Sequence, residues 1–257
     1  MSRWLVKGLL LVVAVLLVGC GEGVSNTFTL AAELPPNFTY RAYARYVPAS
    51  GETCSVSRKD NLNPGFNWAW REAYSPEAKI QVRKVIKGCP MVVRVIKIEI
   101  FSIYGADRGD FSSDFAEITI REKLDDVYKN GFDKLGVSEF YGECQWLFRT
   151  STSTRRLTKI LKCTGTDKDG TPQRGGPFAA YELDQLAGAT VRMNIKLAAT
   201  ERPYFKDTWV KFENGWKRCM GDGPLDERAY CNGNFKDFSK FRMPGGKECL
   251  VYPGCEE

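Results

Sequence analysis

The chain has 257 residues, 37 Lys and Arg against 31 Asp and Glu for a net charge of +6 at pH 7, nine cysteines and no histidine. Without histidine the usual general base, the commonest metal ligand and the Ser-His-Asp and Cys-His nucleophilic arrangements are all excluded, which leaves carboxylate or Ser-Lys chemistry to any enzyme reading. The basic residues are spread along the chain, without the clustered face that nucleic-acid binding uses.

Arg3 and Lys7 make a positively charged leader, Gly8 to Val18 is uninterrupted apolar sequence, and the small Gly19 precedes Cys20. This order predicts a signal peptide over residues 1–19. The apolar run is too short for a membrane-spanning helix, which needs about 20 residues. Leu17-Val18-Gly19-Cys20 resembles the lipobox of bacterial lipoproteins, whose cysteine becomes the first residue of the mature chain and carries lipid. The resemblance implies a diacylglycerol and an N-acyl chain on Cys20, and therefore a lipid bilayer as partner. Each buried CH₂ contributes about 0.8 kcal/mol, one acyl chain binds marginally, and two or three hold stably. Gly21 stands where an aspartate would, in enteric bacteria, imply inner-membrane retention, so the implied address is the outer membrane, facing the periplasm. Loss of Arg3 and Lys7 with the leader leaves 35 cations against 31 carboxylates, a net charge of +4.

Residues 20–36 read as a tether ending in Pro35-Pro36. Phe38, Tyr40, Ala42, Ala44 and Tyr46 then alternate onto one face, the period of a half-buried strand. Asp60 to Pro64 reads as a loop. Trp68 and Trp70 would share one face of a strand; exposed, they would anchor a partner or stack on a sugar, and buried they are core aromatics, as Trp mostly is. Ile80–Ile86 is a strand candidate, and Met91–Tyr104, β-branched and apolar on both faces at its start, reads as a central strand. Asp107, Asp110 and Asp114 are expected to form a solvated acidic loop, because a calcium site needs about six to eight oxygens and the EF-hand spacing is absent.

Ala116, Ile118 and Ile120 alternate as a strand, and Glu122 to Leu135 reads as one helix. Gln145–Arg149, Arg155–Lys162, Thr190–Leu197 and Trp209–Glu213 are further strands. The Thr164–Pro177 stretch reads as a loop, with a turn at Asp167-Lys168-Asp169-Gly170, and Tyr181–Leu186 as a short helical turn. From Gly215 onward the chain reads as loop, with Trp216 packing beside a disulfide as in β-sandwiches.

Many short strands between Gly, Pro, Asn and Asp predict a mainly β protein of one or two β-sandwich-like domains with little helix. Both halves carry the order cysteine, strand, cysteine, long strand, which suggests domains over 37–133 and 134–257 with a boundary near Gly131–Gly136. Besides Cys20 there are eight cysteines: Cys54, Cys89, Cys144, Cys163, Cys219, Cys231, Cys249 and Cys255. In an oxidising compartment they are expected to form four bridges, mostly between sequence neighbours, with Cys219–Cys231 and Cys249–Cys255 closing short loops. No C-x-x-C spacing occurs, and no metal or cofactor is expected.

No pattern of acids points to a catalytic dyad. Asp184-Gln185-Leu186-Ala187-Gly188, Arg202-Pro203, Trp209-Val210 and Gly215-Trp216-Lys217-Arg218-Cys219, with the lipobox and mature length, look like lipoproteins that act as immunity proteins to type VI secretion effectors. That resemblance implies a stoichiometric inhibitor that occludes a secreted toxin such as a phospholipase. An envelope ligand-binding or assembly lipoprotein, or a histidine-free hydrolase, are the other readings.

Overall fold

The computed structural model describes residues 25–57, 62–64, 77–151, 154–223, 226 and 228–255, so Cys20, Trp68 and Trp70 lie outside the described residues. The strands, in chain order, are β1 (Thr27–Glu33), β2 (Phe38–Pro48), β3 (Leu62–Pro64), β4 (Glu77–Gln81), β5 (Arg83–Ile86), β6 (Cys89–Ile103), β7 (Phe111–Arg121), β8 (Val137–Ser151) and β9 (Arg156–Thr166). They continue with β10 (Phe178–Glu182), β11 (Thr190–Leu197), β12 (Arg202–Pro203), β13 (Trp209–Phe212), β14 (Gly215–Cys219), β15 (Phe238–Ser239), β16 (Phe241–Arg242) and β17 (Glu248–Cys249).

The fold is mainly β, as the alternation predicts. One sheet runs β17-β16-β9-β8-β11-β1-β4, with β12 also on β8; a second runs β10-β7-β6-β2-β3, with β5 on β6. Their inner faces meet in one core, where Phe28 and Leu30 of β1, Tyr46 of β2, Ile96, Ile98 and Ile100 of β6, Ile118 of β7 and Met193 of β11 are all buried. The β7 and β9 strands join the layers at a corner: Leu161 N–H donates to Ser112 Oγ (3.0 Å) and Cys163 N–H to Asp114 Oδ2 (2.7 Å).

The expected boundary near Gly131–Gly136 does not separate two units. β1 and β4 precede it yet share a sheet with β8, β9 and β11, and β10 follows it yet pairs in parallel with β7. Parallel pairing between distant segments needs a crossover, so the halves interleave.

The tether is likewise shorter than expected. Residues 27–33 form β1, held between β11 in parallel and β4 antiparallel, with Phe28, Leu30, Ala31 and Ala32 buried. The helix expected over Glu122–Leu135 is a single 3₁₀ turn, Asp126–Tyr128, with no buried residue. Phe132 of that segment packs against the core and Tyr181, but Val127, Tyr128 and Leu135 are exposed, so no apolar stripe is buried, and tertiary packing supplies most helical stability. Leu62–Pro64, expected in a loop, pairs with β2. Tyr181, expected in a helical turn, lies in β10, which ends at Glu182, and the 3₁₀ turn Leu183–Gln185 follows.

The segment after Gly215 is more ordered than its composition suggests. β13, β14 and β15 form a small sheet that closes a second cluster of Phe148, Leu157, Trp209, Phe241, Cys249 and Tyr252. Trp216 packs edge-on against Phe148 with ring centroids 5.8 Å apart, beside the Cys249–Cys255 bridge, as expected. Arg218 is buried beneath this cap: Nε donates to Thr150 Oγ1 (2.7 Å), and its two terminal nitrogens donate to Cys219 O (3.1 Å), Ser239 Oγ (2.8 Å) and Asp226 O (3.1 Å).

Candidate functional site

The turn Leu34-Pro35-Pro36-Asn37 leaves β1 stiffly. Proline fixes φ, Asn37 takes the left-handed conformation with φ 67°, which Asn tolerates, and Phe38 N–H closes the turn on Pro35 O at 3.2 Å. This turn walls one side of an open groove. Its floor follows from sheet register: Glu33 of β1 stands opposite Asn194 of β11, and Asn194 opposite Tyr141 of β8. Lys196 and Leu197 complete the lining, and the groove has a volume of about 900 Å³.

Glu139 is the electrostatic centre. Tyr141 Oη donates to its Oε2 at 2.8 Å, Asn194 Nδ2 to its Oε1 at 3.3 Å, and the Arg192 guanidinium lies 3.6 Å from Oε1 and 3.9 Å from Glu33. The Tyr141 hydrogen bond holds the Glu139 carboxyl below the ordinary glutamate range, aided by Asn194 and Arg192. Burial and then the Glu139 carboxylate push the Tyr141 phenol up.

A carboxylate held ionised in this way is a poor proton donor, whereas a glycosidase acid has a raised pKa. What the groove offers instead is a pre-formed binding surface. Leu34, Pro35, Pro36, Ile195 and Leu197 are apolar, and Glu139, Asn194 and Lys196 supply oriented polar groups. That combination suits recognition of a ligand or a partner's loop.

The eight cysteines from Cys54 to Cys255 pair with sequence neighbours. The bridges are Cys54–Cys89, Cys144–Cys163, Cys219–Cys231 and Cys249–Cys255, with Cα–Cα distances of 5.8, 3.9, 5.0 and 4.7 Å. The second of these joins directly opposed residues of β8 and β9 beneath the groove's sheet. Among the described residues no group of three or more Cys, Asp or Glu is placed to hold a metal.

The aspartates expected in a solvated loop are not all solvated. Asp110 is buried and accepts from Arg156 Nη2 at 2.7 Å; the same nitrogen reaches the exposed Asp107 at 2.7 Å. Asp114 accepts from the Cys163 backbone and pairs with Lys162 at 3.3 Å. Arg156, distant in sequence, pins the β6–β7 loop to β9, and a buried carboxylate needs such a partner.

The groove residues come from three segments, 33–37, 139–141 and 194–197, joined only by the parallel pairings of β1, β11 and β8. Pro35-Pro36, visible in the sequence as a rigid punctuation, was the one local signal of the site. No protein-family model, curated protein or solved structure matches this chain.

Proposed function

We propose that this protein is a lipid-anchored, periplasm-facing lipoprotein that binds a secreted toxin and neutralises it by occlusion, as an immunity protein does. The observation that carries the reading is where the groove lies. β1 begins at Thr27, close behind Cys20 in the sequence, and ends at Glu33 on the groove. Seven strand residues span about 23 Å, so the groove is displayed away from the point where an anchored chain would leave the bilayer.

The stapled body suits an inhibitor. A scaffold already ordered by four bridges loses little entropy on association, and an interface of standard size then reaches nanomolar affinity. Placement on a membrane would hold the inhibitor where a membrane-attacking enzyme arrives.

The test is co-expression of the neighbouring gene's secreted product in the periplasm with and without this protein. Survival only when this protein is present supports neutralisation. Killing unaffected by its presence rejects it.

A further inference from the structure

The end of the sandwich where β1 begins carries a second groove. It has a volume of about 710 Å³ and is lined by Arg83, Arg94, Arg121 and Lys123, with Glu122 and Asp184 as the only carboxylates in its lining. Arg83 pairs with Asp184 at 3.0 Å. Arg94, Arg121 and Lys123 form no ion pair with a carboxylate among the described residues; Arg121 donates only to the backbone oxygen of Ile120 at 3.0 Å. The Arg94 guanidinium is pushed down first by burial and then by neighbouring Arg121, against the opposing pull of Glu122.

The same end is apolar at its tips. The four most exposed large hydrophobic residues described are Leu135 (87 %), Val127 (81 %), Val85 (69 %) and Tyr128 (67 %). Val85 sits on the β5–β6 hairpin, and the other three on the connection from Arg121 to Val137. That connection also carries Lys123, Lys129 and Lys134 together with the exposed carboxylates Glu122, Asp125, Asp126 and Asp133, of which Asp126 is paired with Lys129 at 3.0 Å. Exposed apolar side chains beside a groove whose lining is net cationic are the composition of a membrane-surface contact.

The chain itself arrives here. Asn26 Nδ2 donates to Arg83 O at 2.6 Å, and Asn26 lies six positions after Cys20, at most about 20 Å of extended chain.

We propose that this end of the sandwich docks on an anionic bilayer surface, with Arg94, Arg121 and Lys123 on headgroup phosphates and Val85, Val127, Tyr128 and Leu135 entering the interface. Guanidinium groups match phosphate oxygens in pairs, and the apolar tips reach the headgroup boundary. The proposal rests on the lipid anchor at Cys20: a short tether holds this end against the bilayer, and docking then fixes the body so that the Glu139 groove points outward.

Lipidated full-length protein on vesicles of phosphatidylcholine, with and without phosphatidylglycerol, tests this by amide deuterium uptake. Peptides over 83–86 and 121–136 should exchange about fivefold more slowly on the phosphatidylglycerol vesicles, the factor one headgroup contact supplies, while 194–197 is unchanged. The protection should vanish at about 1 M salt, where the Debye length is about 3 Å, and in Lys123→Glu/Leu135→Asp and in Arg94→Glu. Equal exchange on both vesicles, protection that survives both variants, or equal protection by inorganic phosphate on neutral vesicles would each overturn the docking face. Flotation separates the two claims. Protein that floats with anionic but not neutral vesicles lacks the anchor yet retains the face, and protein that floats with neither has neither.

Discussion

Asn26 and Arg83 are tied by a reciprocal pair of hydrogen bonds: Asn26 Nδ2 donates to Arg83 O at 2.6 Å, and Arg83 N–H donates to Asn26 Oδ1 at 3.0 Å. Val82 N–H adds a third bond to Asn26 O at 2.8 Å. The β4–β5 connection thus grips the chain one residue before β1 begins, which fixes where any leader or anchor must leave the sandwich.

Asn26→Ala removes the two side-chain bonds and keeps the backbone one. The site is exposed, so the loss should be about 1 kcal/mol in urea unfolding, together with faster amide exchange at Val82 and Arg83. An unchanged exchange rate at Arg83 would show that the grip does not order this end.

The loop after β7 should loosen in acid. Glu182 accepts from Leu124 N–H at 3.0 Å and pairs with Lys129 at 3.4 Å, and the Leu124 bond holds its carboxyl below the ordinary glutamate value. A depressed acid contributes stability above its unfolded pKa and loses it as pH falls through the folded one. Amide protection over 122–130, taken relative to the intrinsic exchange rate, should therefore fall as pH drops below about 4, and Glu182→Gln should show the lower protection already at neutral pH. A pH-independent loop would contradict the pin.

Arg218 should be the most sensitive residue of the C-terminal cap. Burial pushes its pKa down to about 10, and its nitrogens satisfy Thr150, Ser239, Cys219 and Asp226. Arg218→Met leaves those acceptors unpaired and should destabilise by about 3 kcal/mol. Lysine should not rescue it, since a point charge cannot reproduce a planar fork of donors. Thermal unfolding of both variants checks this; wild-type stability in Arg218→Met would contradict it.

The sequence showed the strands that alternate and concealed those that depend on distant partners. Phe38–Tyr46, Ala116–Ile120 and Thr190–Leu197 lie within strands, and Met91–Tyr104 overruns its strand by Tyr104 alone; the alternation holds through Ile195, after which Leu197 is exposed. Thr27–Glu33 escaped because a strand bonded on both edges and buried through Ala31 and Ala32 lacks a clean period. Asp110 read as solvated because its partner Arg156 is 46 positions away. The groove was hidden for the same reason: its three segments meet only through parallel pairing, and nothing local in Glu139 or Asn194 announces it.

Peptide mapping without reduction should recover the four bridges named above and no others. On the chain-entropy account, loops of these lengths, six to 35 residues apart, are worth about 2–4 kcal/mol each. The Cys54–Cys89 bridge, with the widest separation, should lower the melting temperature most when both its cysteines become serine. Two or more free thiols in the oxidised protein would contradict the pairing.

Titration calorimetry of the purified protein with the neighbouring gene's secreted product tests neutralisation at the groove most directly. The expected result is a one-to-one complex of nanomolar affinity, at least about tenfold weaker in Tyr141→Ala or Lys196→Glu, with no substrate turned over by this protein alone. No complex, an affinity indifferent to both groove variants, or turnover by this protein itself would contradict it.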